Sequence, residues 1–160
     1  MKYTGPKQRE KRIGYFCVNN TPTGGLVKVE YLYTIDGDTA YFKLGQSGES
    51  VRFFLINTPE LNNNEPYAKE AREYTEKVLS NAKEIYLQSD TNNLLRDKTE
   101  SKRILAWVWV DKELLNYNLV REGYAIVKYV YSEESLYYKQ LLKAESLAKK
   151  EKLRIHEKIV

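Results

Sequence analysis

Cysteine and histidine are almost absent from this chain of 160 residues. Cys17 is the one thiol and His156 the one imidazole. A lone cysteine cannot close an intramolecular disulfide, and one thiol with one imidazole does not make a zinc site. A site built on repeated histidines is excluded, and a Ser-His-Asp triad would have to draw on the last five residues of the chain. No apolar run approaches the length that crosses a bilayer. Residues 1–12 are basic but no apolar segment follows them, so they do not read as a signal peptide. Any chemistry must rest on Asp, Glu, Arg, Lys and Tyr. That set suits hard cations with oxygen ligands, and phosphate.

What is present is globular. Apolar residues make up 42% of the chain and charged residues 30%, enough for one domain with a core. The formal net charge is +4, carried by the ends. Residues 1–12 hold five basic side chains against one acid, and residues 149–160 hold five against two. The stretch between them is therefore net acidic. A general basic face for nucleic acid is not indicated, and a site for phosphate needs locally placed Arg and Lys.

Residues 1–24 read as a flexible basic arm, ending in an Asn-, Pro- and Gly-rich segment. From Leu26, Val27, Val29, Tyr31, Tyr33 and Ile35 alternate with Lys28, Glu30 and Thr34, the period of a half-buried strand. Asp36-Gly37-Asp38 is a turn signal. Ala40, Phe42 and Leu44 mark a second strand. Residues 51–56 begin a third, VRFFLI, an apolar run interrupted only by Arg52. Pro66 suits the first turn of a helix carrying Ala68, Ala71, Thr75, Val78, Leu79 and Ala82 at helical spacing. Residues 84–88 make a short strand, residues 89–102 a long polar loop, and residues 104–110, ILAWVWV, a fifth strand. A short helix over residues 114–122 stops at Gly123. Residues 124–131 form an extended aromatic stretch. Ser132 caps a last helix with Tyr137, Leu141, Ala144 and Ala148 on its apolar stripe. Three strands, a helix, two strands and further helices is the order of an OB-fold barrel: α+β, mainly β, five strands with three packed helices. The expected division is an arm over 1–24, a single domain over 25–156 and a tail over 157–160.

Three polar clusters interrupt the apolar strands: residues 36–39 (DGDT), Arg52 with residues 57–60 (NTPE), and Arg103 ahead of Ile104. A charge within a strand needs a partner. Read singly, each cluster fits a structural role as well as a functional one: an ion pair, a strand-ending turn, a solvated strand start. Read jointly, guanidiniums and oxygen groups in this order suit a phosphate and a hard cation.

Their joint order resembles the staphylococcal-type nuclease family. The matching segments are IDGDT at 35–39, VRFFLINTPE at 51–60, RILAWVWVD at 103–111, LNYNLVREGYAIVKYVY at 115–131 and AESLAKKEKLRI at 144–155. The resemblance implies an OB-fold and calcium-dependent hydrolysis of DNA and RNA, leaving 3′-phosphate and 5′-hydroxyl ends. By matched position, it implies one calcium ion held by Asp38, Asn57 and the Thr58 carbonyl. Glu60 is the carboxylate that orients or deprotonates the attacking water, and Arg52 and Arg103 grip the phosphate. Lys98, Tyr129 and Tyr131 fall at substrate-binding positions, with core packing as the alternative for the tyrosines. Single-stranded or frayed nucleic acid, a monomer, and export if a leader precedes the chain complete the expectation.

Two positions depart from the family pattern. The family carries Asp where this chain has Asn57, so the site loses a negative charge. The loop before Arg103 is two residues longer and lacks the family's tyrosine and glycine. A further difference is His156, which stands where the family often has tryptophan and reads as a packing change. The alternative expectation is a degenerate module that binds nucleic acid or protein without cleaving it.

Overall fold

The computed structural model describes residues 25–91 and 94–157. The expected arm and the last residues of the expected tail lie outside the described residues. Strands β1 (Leu26–Asp36), β2 (Thr39–Leu44) and β3 (Ser47–Phe53) form the antiparallel meander that the alternating pattern predicts. The two-residue strand β4 (Ile56–Asn57) follows, then helix α1 (Ala68–Ser80), β5 (Ile85–Gln88), a short β6 (Leu95–Arg96) and β7 (Ile104–Val110). After β7 come β8 (Glu113–Leu114), α2 (Leu115–Arg121), β9 (Ile126–Val127) and α3 (Tyr138–Lys150).

The barrel closes because β7 pairs on both sides. It runs antiparallel to β5 and parallel to β3, while β5 returns to β1. The path β1-β2-β3-β7-β5 is thus a closed five-stranded OB-type barrel with three helices packed on it. A strand paired on both sides and covered on both faces should read as a continuous apolar run. Every residue of β7 is buried, as ILAWVWV requires. Its two indoles keep their N–H groups satisfied: Trp107 donates to Asp90 Oδ1 at 3.0 Å and Trp109 to Gln88 Oε1 at 2.8 Å. α1 buries Ala68, Ala71, Thr75 and Leu79, and α3 buries Leu141, Ala144 and Ala148. Gly123 ends α2 with φ +80°, where a Cβ would lie 2.5 Å from the Leu153 carbonyl oxygen. Both the dihedral and the close approach require glycine.

Four sequence expectations are corrected. The run VRFFLI is not one strand: β3 ends at Phe53, and Phe54 and Leu55 form a turn with Leu55 at φ +62° before β4. The turn residues remain buried, so their apolarity mimics strand interior. β1 does not alternate throughout. A register shift between Tyr31 and Tyr33 reverses its faces, leaving Val29 and Thr34 buried and Tyr33 and Ile35 exposed. Ser132 does not cap the last helix. Its hydroxyl accepts from Glu134 N at 3.1 Å in a separate turn, and α3 starts only at Tyr138. Pro66 lies ahead of α1, whose N-cap is Tyr67.

The long loop is not wholly irregular, since β6 pairs with β7. Of the aromatic stretch after Gly123, only Ile126 and Val127 form a strand, paired to β4.

Candidate active site

The β1–β2 turn places Asp38 at the barrel mouth. Gly37 lets that turn press against its neighbours. A Cβ there would lie 2.8 Å from the Ala71 Cβ on α1 and 2.9 Å from Thr58 Cγ2. The turn is tied down by Thr75 Oγ1, which donates to the Gly37 carbonyl at 2.6 Å, and by Phe53 N, which donates to the Asp38 carbonyl at 2.8 Å. The buried Asp38 carboxylate then accepts two hydrogen bonds and forms an ion pair. Thr39 Oγ1 donates to its Oδ1 at 3.0 Å, Thr58 N to its Oδ2 at 2.9 Å, and Arg52 Nη2 lies 3.2 Å from Oδ2.

The break between β3 and β4 folds the chain back on itself. Arg52 therefore reaches Asn57, five residues on, through Nη2 to Oδ1 at 3.2 Å. Its Nη1 donates to the Phe53 carbonyl at 3.0 Å. Arginine offers donors alone, so Asn57 presents its amide oxygen to it. Arginine has five N–H groups, and these hydrogen bonds occupy one on each terminal nitrogen. Nε and the second hydrogen of Nη1 make none of these contacts. β4 pairs with β9, and Lys128 N donates to the Leu55 carbonyl at 2.9 Å. This pairing carries the tyrosines to the mouth. Arg52 Cζ sits 5.7 Å and Lys128 Nζ 5.1 Å from the Tyr129 ring centroid. Tyr131 stacks on Phe54 at 5.8 Å, with 8° between the rings.

Arg103 is held by the loop before it. Asp97 Oδ2 accepts from Arg103 Nε at 2.7 Å and Oδ1 from Arg103 N at 3.0 Å, while Thr99 Oγ1 donates to Oδ1 at 2.7 Å. The extra loop residues turn back on themselves through Lys102 N to the Thr99 carbonyl, 3.1 Å. The longer loop thus still presents Arg103, and both of its terminal nitrogens are free of these contacts. Burial raises the Asp97 carboxyl, but bonds from Thr99 and Arg103 outweigh it and hold the group below its ordinary value. A depressed carboxyl stabilises the fold above its unfolded value, and this is lost as pH falls through the lowered one. Asp97→Asn is therefore expected to lower Tm at neutral pH, by an amount that shrinks as the pH falls into the acid range, read by thermal melts at descending pH.

All the residues that the sequence singles out line one cleft of ≈ 480 Å³: Asp38, Arg52, Asn57, Thr58, Glu60, Lys98, Arg103, Tyr129 and Tyr131. Glu60 stands at its edge, where Oε2 accepts from Asn63 Nδ2 at 3.0 Å and its own N donates to Glu65 at 2.6 Å. His156 is not in the lining. Burial, then Lys149, holds its imidazole below the ordinary value. Asp36, Thr39 and Asp97 also line the cleft and had been given no site role. The DGDT turn was the available signal for the first two. For Asp97 it was a carboxylate six residues ahead of an arginine.

Asp36 bears on cation binding. Burial raises its carboxyl, as do Asp38 and Glu60, against Arg52 and the Leu61 amide, which lower it. Carboxylates repelling one another in a cleft whose polar lining offers no nitrogen or sulfur ligand fit a hard divalent cation. The Thr58 hydroxyl, buried without a partner, adds an oxygen. Against this, no three His, Cys, Asp or Glu side chains form a ready metal cage among the described residues. Asn57 supplies no charge, and its oxygen already accepts from Arg52. The donor chemistry fits such an ion, with little negative charge to hold it.

A closed OB-type barrel with guanidiniums, carboxylates and tyrosines in one mouth defines the class. Within it the chain belongs to the staphylococcal nuclease homologues, the family that residues 50–158 match. It is 36% identical over 137 residues to the SPbeta prophage-derived endonuclease YokF of Bacillus subtilis (strain 168), covering 83% of this chain and 45% of that protein. It is 35% identical over 137 residues to endonuclease YncB of the same organism, covering 83% and 63% respectively. The thermonuclease of Staphylococcus hyicus is 34% identical over 125 residues, 76% of this chain and 70% of that protein. The chain thus spans about half to two-thirds of the length of the two Bacillus relatives.

Proposed function

We propose that this domain hydrolyses phosphodiester bonds in DNA and RNA, leaving 3′-phosphate and 5′-hydroxyl ends, with calcium as its cofactor. The observation that carries the reading is the convergence of Arg52, Arg103 and Glu60 on one cleft. Phosphoryl hydrolysis builds charge on the non-bridging oxygens. The unused donors of Arg52 and the terminal nitrogens of Arg103 are available to take it up. Glu60 accepts the proton of a water that attacks phosphorus, the bond from phosphorus to the 5′-oxygen breaks, and the departing oxygen takes a proton from solvent to become the hydroxyl. Asp36, Asp38, Asn57 and the Thr58 carbonyl would hold the ion, which supplies positive charge next to the phosphate. Lys98 adds a point charge at the rim. Tyr129 and Tyr131, each more than half exposed beside its cation or ring contacts, offer ring surface to unpaired bases, which favours single-stranded or frayed substrate.

The test is cleavage of heat-denatured DNA with calcium against a chelator control. Glu60→Gln is expected to slow cleavage at least about a hundredfold. A rate indifferent to both the chelator and this substitution overturns the reading. Asn57→Asp is expected to tighten calcium binding roughly tenfold by calorimetry, because it restores a charge at the ion. Unchanged affinity would remove Asn57 from the ion's surroundings. A second reading, binding without cleavage, is favoured by Asn57 alone. Oligonucleotide binding with no product at saturating calcium would establish it.

A further inference from the structure

The outer face of β1 and β2 carries aromatic surface that the cleft does not use. Tyr33 and Tyr41 are register partners across the two strands, and their rings stack with centroids 4.6 Å apart and 24° between planes. Tyr33 nevertheless stays 52% exposed. Strict alternation from Tyr31 would have turned it inward. Tyr31 packs against the core, edge-on to Phe42 at 6.3 Å, and the register shift that follows sends Tyr33 outward. Bulges commonly re-aim a side chain in this way beside a site. Here it places a tyrosine, and Ile35 after it, in water.

The same face leads into the cleft. Thr39 lines the cleft and pairs in register with Arg52. Strand side chains two apart share a face. Tyr41 therefore lies on the face of Thr39 and Arg52, one repeat of roughly 7 Å away. Ser50, the register partner of Tyr41 on β3, borders it, and Lys43 follows one repeat further, opposite Glu30.

We propose that Tyr33 and Tyr41 form a stacking platform for a base flanking the phosphate held in the cleft, so that the bound strand runs across the outer face of β1 and β2. This rests on the nucleic-acid reading above. A flat open ring, continuous with a guanidinium-lined cleft, suits an unpaired base of any identity, because every base has a π-face.

The experiment compares the Glu60→Gln protein with the same protein carrying Tyr33→Ala and Tyr41→Ala, in calcium, by fluorescence anisotropy of a labelled 12-nucleotide thymidylate strand. Both folds are checked by denaturation. The expected result is a Kd for the 12-mer raised roughly tenfold, with a labelled abasic strand of the same length, which keeps the phosphates but has no base to stack, moved less than twofold. Tyr33→Trp keeps the affinity, and its indole fluorescence is quenched on binding the 12-mer. Equal 12-mer affinity with and without the tyrosines overturns the platform, as does an equal loss for both ligands. Dissociation of a self-associated parent without change in 12-mer affinity marks the face as a protein interface and overturns it too. Failure of the Glu60→Gln protein to bind any oligonucleotide overturns the platform together with the nucleic-acid reading. A wild-type protein that binds without cleaving overturns hydrolysis alone, and the affinity comparison still decides the platform.

Discussion

Replacing Arg52 with alanine is expected to cost the protein both rate and stability. On the proposed mechanism it removes a donor to the phosphate and slows cleavage about a thousandfold or more. In the fold it removes the cation that, among the described residues, pairs with Asp38, whose side chain is 7% exposed beside an Arg52 side chain that is 11% exposed. Breaking a buried pair from one side costs about 3–5 kcal/mol. Thr39 and Thr58 still bond Asp38, so the lower end is expected in urea denaturation. Two further variants separate the roles. Arg52→Lys keeps the charge without the planar fork, and is expected to recover stability more than rate. Arg52→Ala combined with Asp38→Asn removes both charges, and is expected to regain most of the lost stability and none of the activity. Stability unchanged in Arg52→Ala would mean that water reaches Asp38 freely. An unchanged rate would remove Arg52 from the phosphate.

The second large effect is expected far from the chemistry. Asn116 is wholly buried in α2. Its Oδ1 accepts from Val108 N at 2.9 Å, and its Nδ2 donates to the Phe54 carbonyl at 3.0 Å. It therefore joins β7 to the turn that separates β3 from β4. Asn116→Ala leaves a buried donor and a buried acceptor unpaired, at about 1–3 kcal/mol each, and opens a small void. A loss of about 3–5 kcal/mol is expected in chemical denaturation. Arg52 and Asn57 meet only because that turn is closed. The folded variant is therefore expected to bind calcium more weakly than wild type, measured where both are fully folded. A loss below about 1 kcal/mol would show that water replaces the amide.

Several features of this site were legible in the chain. Arg52 in an apolar run demanded a partner, and it has Asp38 and Asn57. The polar stretch ahead of Arg103 read as a long loop, and its Asp97, Lys98 and Thr99 line the cleft. Other features were hidden for identifiable reasons. Phe54 and Leu55 are buried turn residues, and burial looks the same in a turn as in a strand. The left-handed Leu55 carries no glycine to announce it. Its backbone is held by Lys128 N and by the Asn116 amide on the neighbouring Phe54, contacts 62 or more residues away in sequence. Ser132 has the chemistry of a helix cap and uses it in a turn.

By itself, the amino-acid sequence determined the order of strands and helices, the all-oxygen and guanidinium chemistry left by one cysteine and one histidine, and the family. The first two follow from periodicity and composition and the family from the resemblance of its motif segments, all properties of short stretches. Only the tertiary structure decided that β7 closes the barrel through β3, that Asp36 joins the cleft, that the Asn57 amide oxygen is engaged by Arg52 and that a register shift turns Tyr33 outward. Each depends on which distant group lies opposite, and neither spacing nor propensity along one strand carries that information.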